Sequence, residues 1–133
     1  MDMEFRVFVS NGRVTAASQY DHYAYYPHLH AMKDRLRSGI EEVWRRVHPQ
    51  LRGLQQYVMD VGCIPHTAHR VGDGGKGAEG HGGGRDEWVV IEFSPFYSCT
   101  GPALFSWTKD RTLLEGTGEG GGQPFQLRLK EEK

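Results

Sequence analysis

The chain has 133 residues and a formal net charge of −1, enough for one domain with a real hydrophobic core but with no basic field for nucleic acid or an anionic membrane. It contains no apolar run of about 18 residues and no N-terminal signal peptide is expected, so nothing points to a membrane. Two cysteines, Cys63 and Cys99, make no disulfide framework; reduced thiols and a cytoplasmic location are the expectation.

Residues 4–20, EFRVFVSNGRVTAASQY, predict a hairpin about Asn11-Gly12, because a type I′ turn needs positive φ at both central positions. On its first strand Phe5, Val7 and Val9 share one face and Glu4, Arg6 and Phe8 the other. The period then lengthens. Leu29, Met32, Leu36, Ile40, Val43, Val47 and Leu51 recur three or four residues apart, which predicts one long amphipathic helix over 28–48. Pro27 suits its first turn, and Pro49 ends it near Val47 or His48.

Residues 54–64 and 87–95 predict the third and fourth strands. Trp88, Val89, Val90, Ile91 and Phe93 suit a strand covered on both faces, and Glu92 is the misfit among them. A buried carboxylate is costly unless something pairs with it. Between these strands eight of the thirteen residues 72–84 are glycine, so 72–86 is read as a flexible loop. Its Gly-Lys lacks the G-x-x-x-x-G-K-[ST] pattern of a P-loop. Five of the seven residues 116–122 are also glycine. After Pro102, ALFSWTKDRTLLEG predicts a short helical stretch. Residues 124–130 alternate like a closing edge strand, and LKEEK reads as a solvated tail. The expected class is α+β: an antiparallel sheet with one long helix packed on one face.

Period-2 parity places Trp88, Val90, Glu92 and Ser94 on one face of the fourth strand, and Val58 and Asp60 on one face of the third. If these strands pair, Asp60 and Glu92 converge opposite the helix. Two carboxylates and a hydroxyl are hard-oxygen ligands of the kind Mg²⁺ takes, with substrate phosphates completing its shell. Arg6, flanked by apolar residues, is the matching phosphate partner. On pattern alone the favoured reading is plainer: Arg6 pairs with Glu92 or Asp60 across the sheet, or the face is solvated.

Three segments, EFRVFVSNGRVTAASQY, YVMDVG and WVVIEFSPFYSCTGPALFSW, resemble the C-terminal half of ATP-grasp proteins. Among these they are most similar to the branch of cell division cycle protein 123, the assembly chaperone of translation initiation factor 2. The likeness spans about residues 4–115. It implies a half-domain over 1–115, with 116–133 a glycine-rich segment, strand and tail. It further implies ATP and Mg²⁺ as cofactors, Asp60, Glu92 and Ser94 as metal ligands, and Arg6 as a nucleotide-phosphate contact. Ser94 stands where the family pattern has Asn, a longer neutral ligand. Two functions follow: an ATP–Mg²⁺-binding protein of ATP-dependent carboxylate ligase ancestry, or a noncatalytic assembly module.

The resemblance also implies a preceding half that supplies lysines, a glycine-rich phosphate loop and the adenine slot. The chain is therefore expected to be a fragment, or a domain that works with that half or a protein partner. It should bind nucleotide weakly alone and expose an apolar patch beside Phe8 and Trp88.

Other residues carry weaker signals. His28 and His30 diverge by about 200° on a helix. His66, His69 and His81 lack cysteine partners, so no zinc site is expected. Cys99 has no neighbouring general base. Tyr20, Tyr23, Tyr25 and Tyr26 read as a packing rim between sheet and helix.

Overall fold

The structure, a computed structural model, describes residues 3–65, 86–117 and 125–132. The glycine-rich 72–85 and 118–122, and His66, His69 and His81, lie outside the described residues.

Five strands form one sheet: β1 (Glu4–Ser10), β2 (Arg13–Gln19), β3 (Tyr57–Ile64), β4 (Glu87–Ser94) and β5 (Gln126–Arg128), in the order β4-β3-β1-β2-β5. Asn11 and Gly12 turn β1 into β2 with φ of 57° and 73°, the left-handed geometry that Asn-Gly tolerates. The β1–β2, β1–β3 and β3–β4 pairs are antiparallel. The β2–β5 pair is parallel, so the sheet is mixed rather than purely antiparallel. The long connection through both helical layers returns the chain to β2 from the same end, which parallel pairing requires.

The helix stripe holds, since Leu29, Leu36, Ile40 and Val43 are fully buried against Phe5, Val7, Val9, Met59 and Val61. The single long helix does not. It divides into α1 (Pro27–Ala31) and α2 (Lys33–Val47) at Met32, whose φ of −105° and ψ of 14° leave the α region. There the Met32 N–H bonds Leu29 C=O, a tightened three-residue turn. The two pieces answer to different anchors. His30 Nε2 lies 2.9 Å from the Lys130 carbonyl oxygen, whereas α2 lies against Trp88 at Gly39. Pro49 sits in a 3₁₀ turn (His48–Leu51) that ends the layer, as its missing N–H predicts.

A second layer covers part of the opposite face. Phe96, Phe105, Trp107 and Leu114 pack over Phe8, Ala16 and Val58. It includes α3 (Arg111–Glu115), capped by Gly116 at φ 71°. Phe8 is consequently buried and Trp88 is 5% exposed beneath α2, so neither ring is itself part of an open apolar patch, although Val89, Ile91 and Phe93 beside Trp88 on β4 are exposed. Nor is LKEEK simply a solvated tail. Leu129 is buried, and the Lys130 N–H donates to Gln19 Oε1 at 2.9 Å. Of the four tyrosines, Tyr26 packs on the core, while Tyr20, Tyr23 and Tyr25 are exposed.

Burial sets the chemistry of two groups on the helix side. It pushes the Cys63 thiol up to about 11, with Asp86 adding to the effect, and the Tyr57 hydroxyl up to about 12. Both ionise more easily in the unfolded chain, from their ordinary values of 9.0 and 10.0. Stability should therefore hold below about pH 9 and fall as pH rises through 11 to 12, by on the order of 2 kcal/mol per group. Thiol labelling of the folded chain at mild alkaline pH should modify exposed Cys99 and spare Cys63. Equal rates at the two sites would contradict this packing.

Candidate functional site

Glu92 faces water. β4 is an edge strand whose residues Val89, Ile91, Glu92 and Phe93 are exposed, so the strand is not covered on both faces and no burial penalty arises. The parity expected for β4 also fails. Asp60 pairs with Glu92 and Val61 with Val90, leaving Ile91 as a bulge. The extra residue reverses the phase. Trp88 and Val90 pack on the helix side, and Phe93 meets Tyr57 there at 5.9 Å between ring centroids. Glu92 and Ser94 point to the other face, with Asp60.

That face gathers all four predicted residues. Arg6 and Asp60 are cross-strand partners, and Asp60 and Glu92 are partners on the next pair. Arg6 grips Asp60 with two bonds, Nε to Oδ1 and Nη2 to Oδ2, each 2.8 Å. Its Nη1 donates to the Gly101 carbonyl at 2.8 Å, and its guanidinium lies 5.0 Å from the Tyr20 ring centroid. Hydrogen bonding to Asp60 raises the Arg6 pKa above its already high value, so the guanidinium stays charged. The plain expectation of a cross-sheet ion pair is thus met by Arg6 and Asp60. Glu92 makes no hydrogen bond or ion pair among the described residues, although its charge is felt at Arg6.

Several contributors carried no legible chemical signal. Gly101 acts only through its carbonyl, which no side-chain pattern reveals. The loop that carries it is tied down by Thr100 Oγ1 to the Pro95 carbonyl at 2.7 Å and by Trp107 Nε1 to the Thr100 carbonyl at 2.7 Å. Ser18 Oγ accepts from the Leu104 N–H at 3.1 Å. Ser18, Thr100 and Trp107, all within the segments that carry the resemblance, therefore supply the ties that hold this loop over the sheet.

No group of three or more His, Cys, Asp or Glu side chains able to hold a metal occurs among the described residues. The set present is of another kind. Asp60 and Glu92 offer two carboxylates, and Ser94 a hydroxyl. Each Asp60 oxygen accepts one bond from Arg6 and keeps a lone pair, while Arg6 keeps two of its five N–H groups. Such a donor set fits a hydrated cation bridged to an anionic ligand.

Relatives are found along the whole chain. It is 35% identical over 127 residues to cell division cycle protein 123 of Eremothecium gossypii, covering 96% of this chain and 29% of that protein. It is 27% identical over 131 residues to the translation initiation factor eIF2 assembly protein of Vanderwaltozyma polyspora, covering 98% and 30%. It superposes on the structure of Cdc123 from Schizosaccharomyces pombe with a TM-score of 0.70 at 23% identity, covering 98% of this chain and 41% of that one, which shows a shared fold. The chain thus spans less than a third of the length of these two sequence relatives. No helix among the described residues is long and apolar enough to cross a membrane. With the D123 family matching residues 1–133, the chain belongs to that family.

Proposed function

We propose that this chain is part of an assembly factor for translation initiation factor eIF2, acting in the cytoplasm by binding rather than by chemical turnover. The observation that carries this reading is the family match over every residue, joined to a relative described as an eIF2 assembly protein that aligns with 98% of the chain. The site's chemistry agrees with it. Arg6 and Asp60 hold a loop in place, and Ser94 replaces the family's longer ligand.

A chimera tests it. This chain should replace the matching segment of the Eremothecium gossypii relative and still co-purify with eIF2 subunits. A chimera with native circular dichroism that captures no eIF2 subunit would overturn the reading.

A second reading concerns the ligand. We propose ATP with Mg²⁺ on Arg6, Asp60, Glu92 and Ser94, in a fold of ATP-grasp type. The spare lone pairs of Asp60, the solvated Glu92 carboxylate and the two spare Arg6 N–H groups favour it. Asp60 and Glu92 would hold the ion and Arg6 a phosphate oxygen, and the bound ion would neutralise triphosphate charge. Because the face is open to water, affinity should be weak, near millimolar. Calorimetry should show that ATP binding depends on magnesium. Glu92→Gln should abolish that dependence and leave the melting temperature alone, since Glu92 is exposed. ATP binding indifferent to both changes would remove the metal from this site.

A further inference from the structure

Arg6 is held from three directions, and two of the holders lie on loops. Asp60 is its cross-strand partner inside the sheet. The Gly101 carbonyl, 2.8 Å from Nη1, and the Tyr20 ring, 5.0 Å from the guanidinium, lie beyond the ends of β4 and β2. Each loop is braced by one of two consecutive buried residues of β2. Ser18 is the cross-strand neighbour of Arg6 and is fully buried. Its hydroxyl accepts the Leu104 N–H at 3.1 Å and donates to the Gln19 carbonyl at 2.9 Å. That grip falls next to Ala103, whose φ of 55° is a left-handed conformation unfavourable for a residue with a Cβ. Gln19, 1% exposed, braces the other loop. Its Nε2 donates to the carbonyls of Asp21 at 2.6 Å and Ala24 at 2.7 Å, and its Oε1 accepts the Lys130 N–H at 2.9 Å. Both loops line one cleft of about 510 Å³ with Arg6, Gly101 and Ala103 from one and residues 20–23 from the other.

An arginine with N–H groups still to offer binds more tightly when its plane is set before the ligand arrives, because ordering a long side chain during binding costs entropy. Asp60 fixes one edge of the guanidinium. Its remaining edge and its face depend on Gly101 and Tyr20, and so on the two braces. We propose that Ser18 and Gln19 are positioning residues for Arg6: they touch no ligand, and they hold the two loops that present its free N–H groups. The proposal deepens the nucleotide reading and rests on it only for the identity of the ligand.

The test is NMR of the folded chain, with the melting temperature of each variant measured alongside. In the wild type the Arg6 Nη1 protons should exchange slowly with water, because Gly101 accepts one of them. Ser18→Ala should speed that exchange and weaken magnesium–ATP binding about 2- to 10-fold, the cost of ordering one long side chain on binding. Gln19→Ala should weaken binding similarly and shift the Tyr20 ring signals as the ring leaves the guanidinium; Ser18→Ala carries the test if Gln19→Ala does not fold. Ser18→Thr keeps the hydroxyl and should preserve both readouts. Thr15→Val is the control for a merely structural role. Thr15 Oγ1 donates to the Leu114 carbonyl at 2.6 Å, a buried tie to α3 rather than to either loop. Its loss should lower the melting temperature and leave Arg6 exchange and ATP affinity unchanged. Unchanged Arg6 exchange in Ser18→Ala, ATP affinity indifferent to that change, or an equal response to Thr15→Val would overturn the proposal. A wild-type chain that binds no ATP removes the nucleotide reading, while the Arg6 signals still decide the positioning role, so the two failures are distinguishable.

Discussion

Replacing Arg6 by alanine is expected to cost about 3–5 kcal/mol of stability, because it strands a buried carboxylate. Asp60 is 4% exposed and receives two of its hydrogen bonds from Arg6. The same change frees the Gly101 carbonyl, and with it the tie between the 95–107 loop and the sheet. Urea denaturation should show the loss as a lower midpoint at unchanged slope. Arg6→Lys keeps the charge but cannot make the two-pronged bond, so it should fall between wild type and alanine. Removing both partners, as in Arg6→Met with Asp60→Leu, should recover much of the loss. A loss below about 1 kcal/mol for Arg6→Ala would mean that the pair behaves as a solvated surface bridge.

Gly39→Ala should also be damaging, though less so, for a steric reason. A Cβ at Gly39 would sit 2.1 Å from Trp88 Cε2 and Nε1, closer than any packed contact. Trp88 cannot simply swing aside. It is 5% exposed and packs against Phe5, with ring centroids 5.9 Å apart. Alanine gains about 1 kcal/mol over glycine in helix propensity, but overpacking costs about 1–3 kcal/mol or somewhat more. The clash should win by about 2 kcal/mol, lowering the melting temperature by roughly 5–15 °C. Pairing it with Trp88→Leu should give a double mutant more stable than the sum of the single losses predicts. Strict additivity would show that Trp88 is not what limits Gly39.

The sequence reveals those parts of the fold that repeat with a period. The Asn-Gly hairpin, the buried stripe from Leu29 to Val43 and the alternation of β1 all appear where expected, because each rests on local geometry. The placement of Arg6, Asp60 and Glu92 on one face is also as expected, but Glu92 reaches it by a different geometry. Its expected parity with Trp88 and Val90 assumed a regular strand, and the bulge at Ile91 breaks that assumption without any glycine or proline to announce it. The helix break at Met32 is hidden for a similar reason. Met32 continues the apolar stripe, and the contact of His30 with Lys130 that accompanies the break comes from 100 residues away. Gly101 is invisible because its function is a backbone oxygen. What pattern cannot supply is tertiary context, which decides all three.

The parallel pairing of β5 with β2 has a consequence for how the molecule is made. Ala16 meets Gln126, and Gln19 meets Lys130 across 111 positions of sequence. During synthesis β1 and β2 can form their hairpin early, and β3 can join once residue 64 has emerged. The outer edge of β2 must then wait, bare, until residues 126–128 have emerged. An unpaired edge is a template for wrong partners, and long-range closure is slow. The nascent chain is thus most prone to misassembly in the interval before β5 arrives, when a chaperone that shields the edge of β2 would help most.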